Sequence, residues 1–274
     1  MEYRKIDKLG IETSLLGFGC MRFPTNAEGK IDREKSTEML DLARANGVNY
    51  FDTAYPYHNG ESELFVGEYL AKRGCRKEIY LATKLPLWAV NSLDDAKRIF
   101  AEQLEKLQTD YIDIYQFHNP SFCPKPNDGS GLYEAMLEAK AQGKIRHIGI
   151  TNHRVAVAEE AITSGLYETL QFPFCYLSTE KEFALVEACK KANMGFIAMK
   201  ALSGGLITNS KVAYAFQSQF DNVLPIWGIQ KETELDEFIS YIKNPPVMTE
   251  EISAYIEKEV KELSGEFCRG CGYC

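Results

Sequence analysis

The sequence predicts an α/β protein, a closed (β/α)8 TIM barrel with an N-terminal β-hairpin and an extra C-terminal helix. From about residue 48, short apolar strand signals alternate with longer amphipathic helical ones almost to the end of the chain, the pattern of βα units and a parallel sheet. Eight strand signals fall within roughly 240 residues, which suits a closed barrel better than a doubly wound sheet. The G-x-G-x-x-G fingerprint of an open dinucleotide-binding sheet is also absent after the early strands.

Taken in order, Tyr3–Lys8 and the Leu9-Gly10 turn read as one arm of a small hairpin, able to plug one end of a barrel. Ser14–Phe18 reads as the first barrel strand, followed by a helix over Glu34–Asn46 that stops at Gly47. The further strands are Asn49–Asp52, Ile79–Thr83, Ile112–Phe117, Arg146–Ile150, Thr169–Phe172, Gly195–Met199 and Val223–Trp227. Between them lie helices with apolar residues three or four apart. One carries Leu93, Ala96, Phe100, Leu104 and Leu107, with Ser92 and Asp95 spaced for a capping box. Another carries Phe183, Val186 and Cys189, with Thr179 and Glu182 spaced likewise. Asn244-Pro245-Pro246 breaks the pattern, and Thr249–Leu263 reads as the added helix. The chain therefore divides into a barrel over 1–244 and an appendage over 245–274.

The 274 residues carry a formal net charge of −8, with 45% hydrophobic, 26% charged and 12% aromatic residues, an ordinary globular balance. An acidic chain lacks the basic face that nucleic acid or an anionic membrane would require, so neither is an expected partner. No apolar run approaches the ~20 residues of a membrane span, and Met1-Glu2-Tyr3-Arg4-Lys5 opens no signal-peptide core, so the expected location is cytoplasmic. Cys20, Cys75, Cys123, Cys175 and Cys189 are scattered and read as reduced thiols.

In a barrel of this kind the chemistry gathers at the C-terminal ends of the strands. Asp52 ends one strand and opens a polar loop containing Tyr57; Lys84 follows the next strand and His118 the one after. An acid, a phenol, an amine and an imidazole thus come from three successive strand ends. A Lys⁺ beside a phenol stabilises the phenolate and is expected to lower its pKa. Asp52 would hold and orient Lys84, and His118 would polarise a substrate oxygen through a neutral N–H. Such a set protonates an oxygen while hydride reaches the adjacent carbon.

These residues resemble the aldo-keto reductase superfamily across about residues 10 to 240. The resemblance rests on Phe51-Asp52-Thr53-Ala54 through Tyr57, on Asn59-Gly60 and Ser62-Glu63, on Ala82-Thr83-Lys84, and on Gln116-Phe117-His118-Asn119-Pro120. It implies a catalytic tetrad of Asp52, Tyr57, Lys84 and His118, with Tyr57 the general acid in reduction of a small carbonyl substrate. It further implies that Thr151, Asn152 and Gln171 bind a nicotinamide carboxamide. Met199, Lys200, Leu202 and Gly204 fall in a segment resembling the Met-Lys-Pro-Leu-x-Gly-Gly of one branch, where glycines admit backbone amides to the pyrophosphate. Met21 and Arg22 resemble cofactor or substrate contacts, and Cys20, Trp88 and Asn119 stand where a substrate would be lined. At the adenosine end Gly228, Gln230 and Glu237 are implied contacts. Gly228 and Glu234 stand where the family carries a lysine and an arginine for the 2′-phosphate, which leaves NADP only slightly ahead of NAD. A cofactor-binding redox-sensing subunit with little turnover is the alternative function, and a Schiff-base lyase using Lys84 is a remoter one.

Cys268, Cys271 and Cys274 have the C-x2-C-x2-C spacing of a ferredoxin-type motif, with zinc as the structural alternative. The chain ends before a fourth ligand, so a [4Fe–4S] cluster, and with it an electron-transfer partner, is expected only in a longer form.

Overall fold

The computed structural model describes residues 1–263. Its eight parallel strands close on themselves: β3 (Gly17–Gly19), β4 (Tyr50–Asp52), β5 (Tyr80–Pro86), β6 (Ile112–His118), β7 (Ile145–Thr151), β8 (Thr169–Pro173), β9 (Gly195–Met199) and β10 (Val223–Trp227), with β10 pairing back onto β3. A separate antiparallel hairpin, β1 (Tyr3–Ile6) and β2 (Ile11–Ser14), precedes them. The helices α1 (Arg33–Ala45), α2 (Glu61–Arg73), α3 (Leu93–Lys106), α4 (Leu132–Ala141), α5 (Val155–Ser164), α6 (Glu180–Lys191), α7 (Ser210–Ser218) and α8 (Glu232–Lys243) follow successive barrel strands. The expected barrel and hairpin are both present.

Several strands run one to three residues past their expected ends, β5 through Lys84 to Pro86, and the first barrel strand is displaced. Ser14, expected inside the first barrel strand, instead pairs with Tyr3 in the hairpin, and the barrel strand begins at Gly17. A Cβ at Gly17 would lie 2.8 Å from the Pro225 carbonyl oxygen, and one at Gly19 would lie 2.9 Å from that of Trp227. The seam that closes the barrel therefore requires glycine at both positions. Leu15 and Leu16, both fully buried, bridge hairpin and barrel without a turn residue, so the apolar pattern runs across the junction unbroken.

The hairpin plugs one end. Ile6, Leu9 and Ile11 pack against Tyr50, Ala82, Ile114, Ile197, Leu224 and Ile226 from the strands in a core of their own. The remaining polar interior, at the other end, contains Asp52, Lys84, Gln116 and Gln171, all buried. The helices cover the outside of the barrel with the larger apolar core. At α6 the expected capping box forms, with Thr179 N donating to Glu182 over 2.7 Å. At α3 Ser92 Oγ accepts from Asp95 N, while the Asp95 carboxylate turns back to Asn91 N. α9 (Glu250–Leu263) lays Ile252, Tyr255, Ile256 and Val260 on the barrel, and Glu259 accepts from both Tyr176 and Tyr255. The five described cysteines are free and buried. Among the described residues no helix is long and apolar enough to cross a membrane.

The contact between α2 and α3 is unusually tight. A Cβ at Gly67 would fall 2.1 Å from the Lys106 carbonyl oxygen and 2.6 Å from the Leu107 carbonyl carbon. Gly67→Ala should therefore lower stability by about 1–3 kcal/mol through overpacking, even though alanine gains about 1 kcal/mol in helix propensity. The urea midpoint measures it.

Candidate functional site

β4 and β5 pair with Asp52 opposite Ala82, β5 and β6 pair with Lys84 opposite Gln116, and His118 lies opposite Pro86 and Thr151. This register brings the strand-end side chains to one mouth. Lys84 Nζ donates to Asp52 Oδ1 and to the Thr53 carbonyl oxygen, each over 2.7 Å, and both charged side chains are 1% exposed. Asp52 and Tyr57 outweigh the opposing effect of burial and hold the Lys84 pKa above its ordinary value.

Tyr57 hangs over this pair, with Lys84 Nζ 4.9 Å from its ring centroid. The chain can place it there because His58, Asn59 and Gly60 all take positive φ (52°, 56° and 88°), turning the backbone sharply into α2. Asparagine and glycine suit that left-handed turn. His118 stands edge-on to Tyr57, centroids 6.4 Å apart, and Trp88 packs on His118 at 4.6 Å.

The expected lowering of the Tyr57 pKa does not appear. Burial pushes the phenol above its ordinary value, and Lys84 pulls it only part of the way back. Desolvation outweighs one neighbouring cation because the cation is itself neutralised by Asp52. His118 behaves as expected: burial, then Lys84 and His153, push its pKa down to about 3, so the ring is neutral. Between pH 6.5 and 3 the unfolded chain binds a proton at this position that the folded chain does not. Stability must therefore fall with falling pH by up to about 1.4 kcal/mol per unit on account of this residue. His118→Gln should flatten the decline of the urea midpoint between pH 7 and 5.

Residues 15–214 match the family model described as the aldo/keto reductase family. The chain belongs to that family. The aldo-keto reductase YhdN of Bacillus subtilis is 32% identical over 225 residues, covering 79% of this chain and 67% of that protein. Protein tas of Escherichia coli is 28% identical over 250 residues, covering 76% of this chain and 70% of that one. Among solved structures, the holo form of an aldo-keto reductase from Bacillus halodurans has a TM-score of 0.78 at 23% identity, covering 94% of this chain and 96% of its own. An aldo-keto reductase from Klebsiella pneumoniae in complex with NADPH has a TM-score of 0.78 at 20% identity, covering 95% and 96%. These two structures share the fold.

In this aldo/keto reductase most of the other expected residues lie at or near the last strand residues and on the loops that follow them. Gln116 Nε2 donates to Gln171 Oε1 over 2.7 Å, which turns the Gln171 amide nitrogen toward the Asp52 carboxylate, whose pKa it acts to lower. The Thr151 hydroxyl makes only a long 3.9 Å contact with the Met199 sulfur. Asn152 is more committed: its oxygen accepts from the His153 and Arg154 backbone N–H groups, and its nitrogen donates to the Pro120 carbonyl. Asn119, at φ 50°, sits 3.4 Å from His153. Met21 and Trp88 are 56% and 59% exposed, and Lys200, Gly204 and Gln230 are exposed as well, with Leu202 half-buried against the core. Arg22 lies across Gly228, its Cγ 2.9 Å from where a Cβ would stand.

Three expectations fare differently. Cys20 is fully buried, its sulfur on the Phe18 carbonyl, and burial raises its pKa well above the usual thiol range. It is walled in rather than lining an open face. Glu237 is exposed and accepts from Ser210 and Tyr241 through Oε1 alone, tying α7 to α8. The motif cysteines Cys268, Cys271 and Cys274 lie outside the described residues, and no group of three His, Cys, Asp or Glu side chains among the described ones could hold a metal ion. Glu234, which stands in place of the family arginine, accepts from Gln230 N and Lys231 N at the start of α8.

Sequence reasoning assigned no role to Gln116 or Gln103. Gln116 shares the inward parity of His118, two residues on. Gln103 falls on the apolar stripe of α3 between Phe100 and Leu107, a buried amide that requires partners.

Proposed function

We propose that this aldo/keto reductase reduces an aldehyde or ketone to an alcohol with NADPH. The observation that carries the reading is the junction of Tyr57, Lys84, Asp52 and His118 in one mouth. A nicotinamide fits the donors available there: the weakly engaged Thr151 hydroxyl and the remaining N–H of Asn152 suit a neutral carboxamide. When bound, the reduced ring supplies the hydride that goes to the carbonyl carbon.

The chain's own residues supply the proton and hold its geometry. The raised pKa keeps Tyr57 protonated at neutral pH, so its Oη–H is available to the carbonyl oxygen. As that proton leaves, the phenolate develops beside the Lys84 ammonium, which Asp52 and the Thr53 carbonyl hold in place. Neutral His118 orients the carbonyl by hydrogen bonding without adding a charge that would compete for the proton. Trp88, packed on His118 and largely exposed, offers the substrate an aromatic face.

Arg22 supports NADPH over NADH. Its Cγ lies 2.9 Å from where a Cβ at Gly228 would stand, so an arginine stem borders the position where the family carries a lysine, and its guanidinium is within reach to serve in place of that ammonium. Titration of protein fluorescence with NADPH and NADH side by side should show tighter binding of NADPH, and Arg22→Ala should narrow the preference by roughly tenfold. Equal affinities, or no oxidation of NADPH with any of a panel of carbonyls, would sink the reading.

A further inference from the structure

Glu63 is a buried carboxylate that the proposed chemistry does not use. It is 0% exposed, makes no ion pair among the described residues, and leaves Oε2 without a hydrogen-bond partner. Burying such a group costs several kcal/mol, which only its hydrogen bonds can offset. Its Oε1 accepts from Thr83 Oγ1 at 2.6 Å and from Gln103 Nε2 at 2.5 Å. The same Gln103 nitrogen donates to the Lys84 carbonyl oxygen at 3.1 Å, and Tyr115 Oη donates to Gln103 Oε1 at 2.6 Å, which fixes the amide's orientation. Strand alternation turns Thr83 outward to this cluster and Lys84 inward to Asp52. One helical turn beyond Glu63 and Gln103, the close approach of Gly67 to Lys106 and Leu107 brings the two helices near enough for the cluster to form.

We propose that Glu63 is a positioning residue for Lys84: from outside the barrel it fixes Thr83 and, through Gln103, the Lys84 carbonyl, and so sets where the ammonium meets Asp52 and Tyr57. Lys84 thus lies between two carboxylates, Asp52 bonded to its ammonium and Glu63 behind its backbone. Burial raises the Glu63 pKa above its ordinary value, and Thr83, Gln103, Lys106 and Lys84 offset that only in part. The consequence for turnover rests on the reading under Proposed function; the consequence for Lys84 itself does not.

The test is a ¹⁵N-lysine NMR spectrum of the full chain near neutral pH. Exposed ammonium protons exchange with water too fast to be seen, whereas a buried, doubly hydrogen-bonded Lys84 gives a protected signal, assigned by its loss in Lys84→Met. Glu63→Met keeps the length of the side chain and removes the oxygen that accepts from both Thr83 and Gln103. It should abolish the signal or speed its exchange about tenfold, and lower kcat roughly 10- to 100-fold with the NADPH Kd unchanged. Thr83→Val, which keeps shape and removes one donor, should act in the same direction and serves if Glu63→Met does not fold. A wild-type Lys84 signal in the folded variants overturns the proposal, even if the melting temperature drops. If the wild type turns over no carbonyl, the functional reading fails while the Lys84 signal still decides for or against Glu63.

Discussion

Tyr57→Phe should lower kcat for carbonyl reduction by roughly 10²–10⁴, the usual worth of a positioned general acid, while leaving the Kd for NADPH within a factor of about two. The ring stays over Lys84, so the loss falls on proton transfer and not on the shape of the mouth. The wild-type pH profile has a defined sign. Burial holds the phenol above its ordinary pKa, so the acid form is present throughout the neutral range, and reduction should lose this proton donor only as pH rises past that raised value. His118 adds no limb between pH 5 and 8, because its pKa lies at about 3. Steady-state kinetics from pH 5 to 10 with both proteins measure these effects. A phenylalanine variant with undiminished kcat would mean that another group supplies the proton.

The parts of this site legible in the sequence are those fixed by topology. Asp52, Lys84 and His118 stand at successive strand ends, and in a parallel barrel strand ends converge wherever the helices lie. Tyr57 was legible as part of the string from Phe51 through Ser62-Glu63 that carries the family resemblance, whereas the left-handed backbone at His58, Asn59 and Gly60 that places it is seen only in the structure. What depends on packing was not. The first barrel strand was misplaced because Leu15 and Leu16 continue the apolar pattern, while the seam is specified by backbone approach at Gly17 and Gly19, which hydrophobicity does not register. The direction of the Tyr57 shift depended on how much water the fold removes, a quantity no spacing encodes. Arg22 reaches Gly228 from the opposite end of the chain, so a position expected as a cofactor or substrate contact and one that lacks the family lysine are neighbours in space.

Lys84→Met should be the most destabilising of the site substitutions, at about 3–5 kcal/mol by urea unfolding. The Coulombic attraction in the buried pair offsets the cost of dehydrating two ions, and removing one partner leaves the whole cost of the other. Asp52 would then keep neither oxygen bonded to a cation, since Oδ2 already lacks a partner. The double variant Asp52→Asn with Lys84→Met removes the stranded charge and fills nearly the same volume. It should recover most of the loss, so the two substitutions will be far from additive, with a coupling of a few kcal/mol. Both the single and the double variant should be inactive, because neither has an ammonium beside Tyr57. Stability and activity would then separate: a neutral pair serves the fold nearly as well as Asp52 and Lys84, and only proton transfer requires the charges. A double variant as unstable as Lys84→Met would instead place the role of Lys84 in packing, since its stem fills a fully buried site at the centre of the mouth.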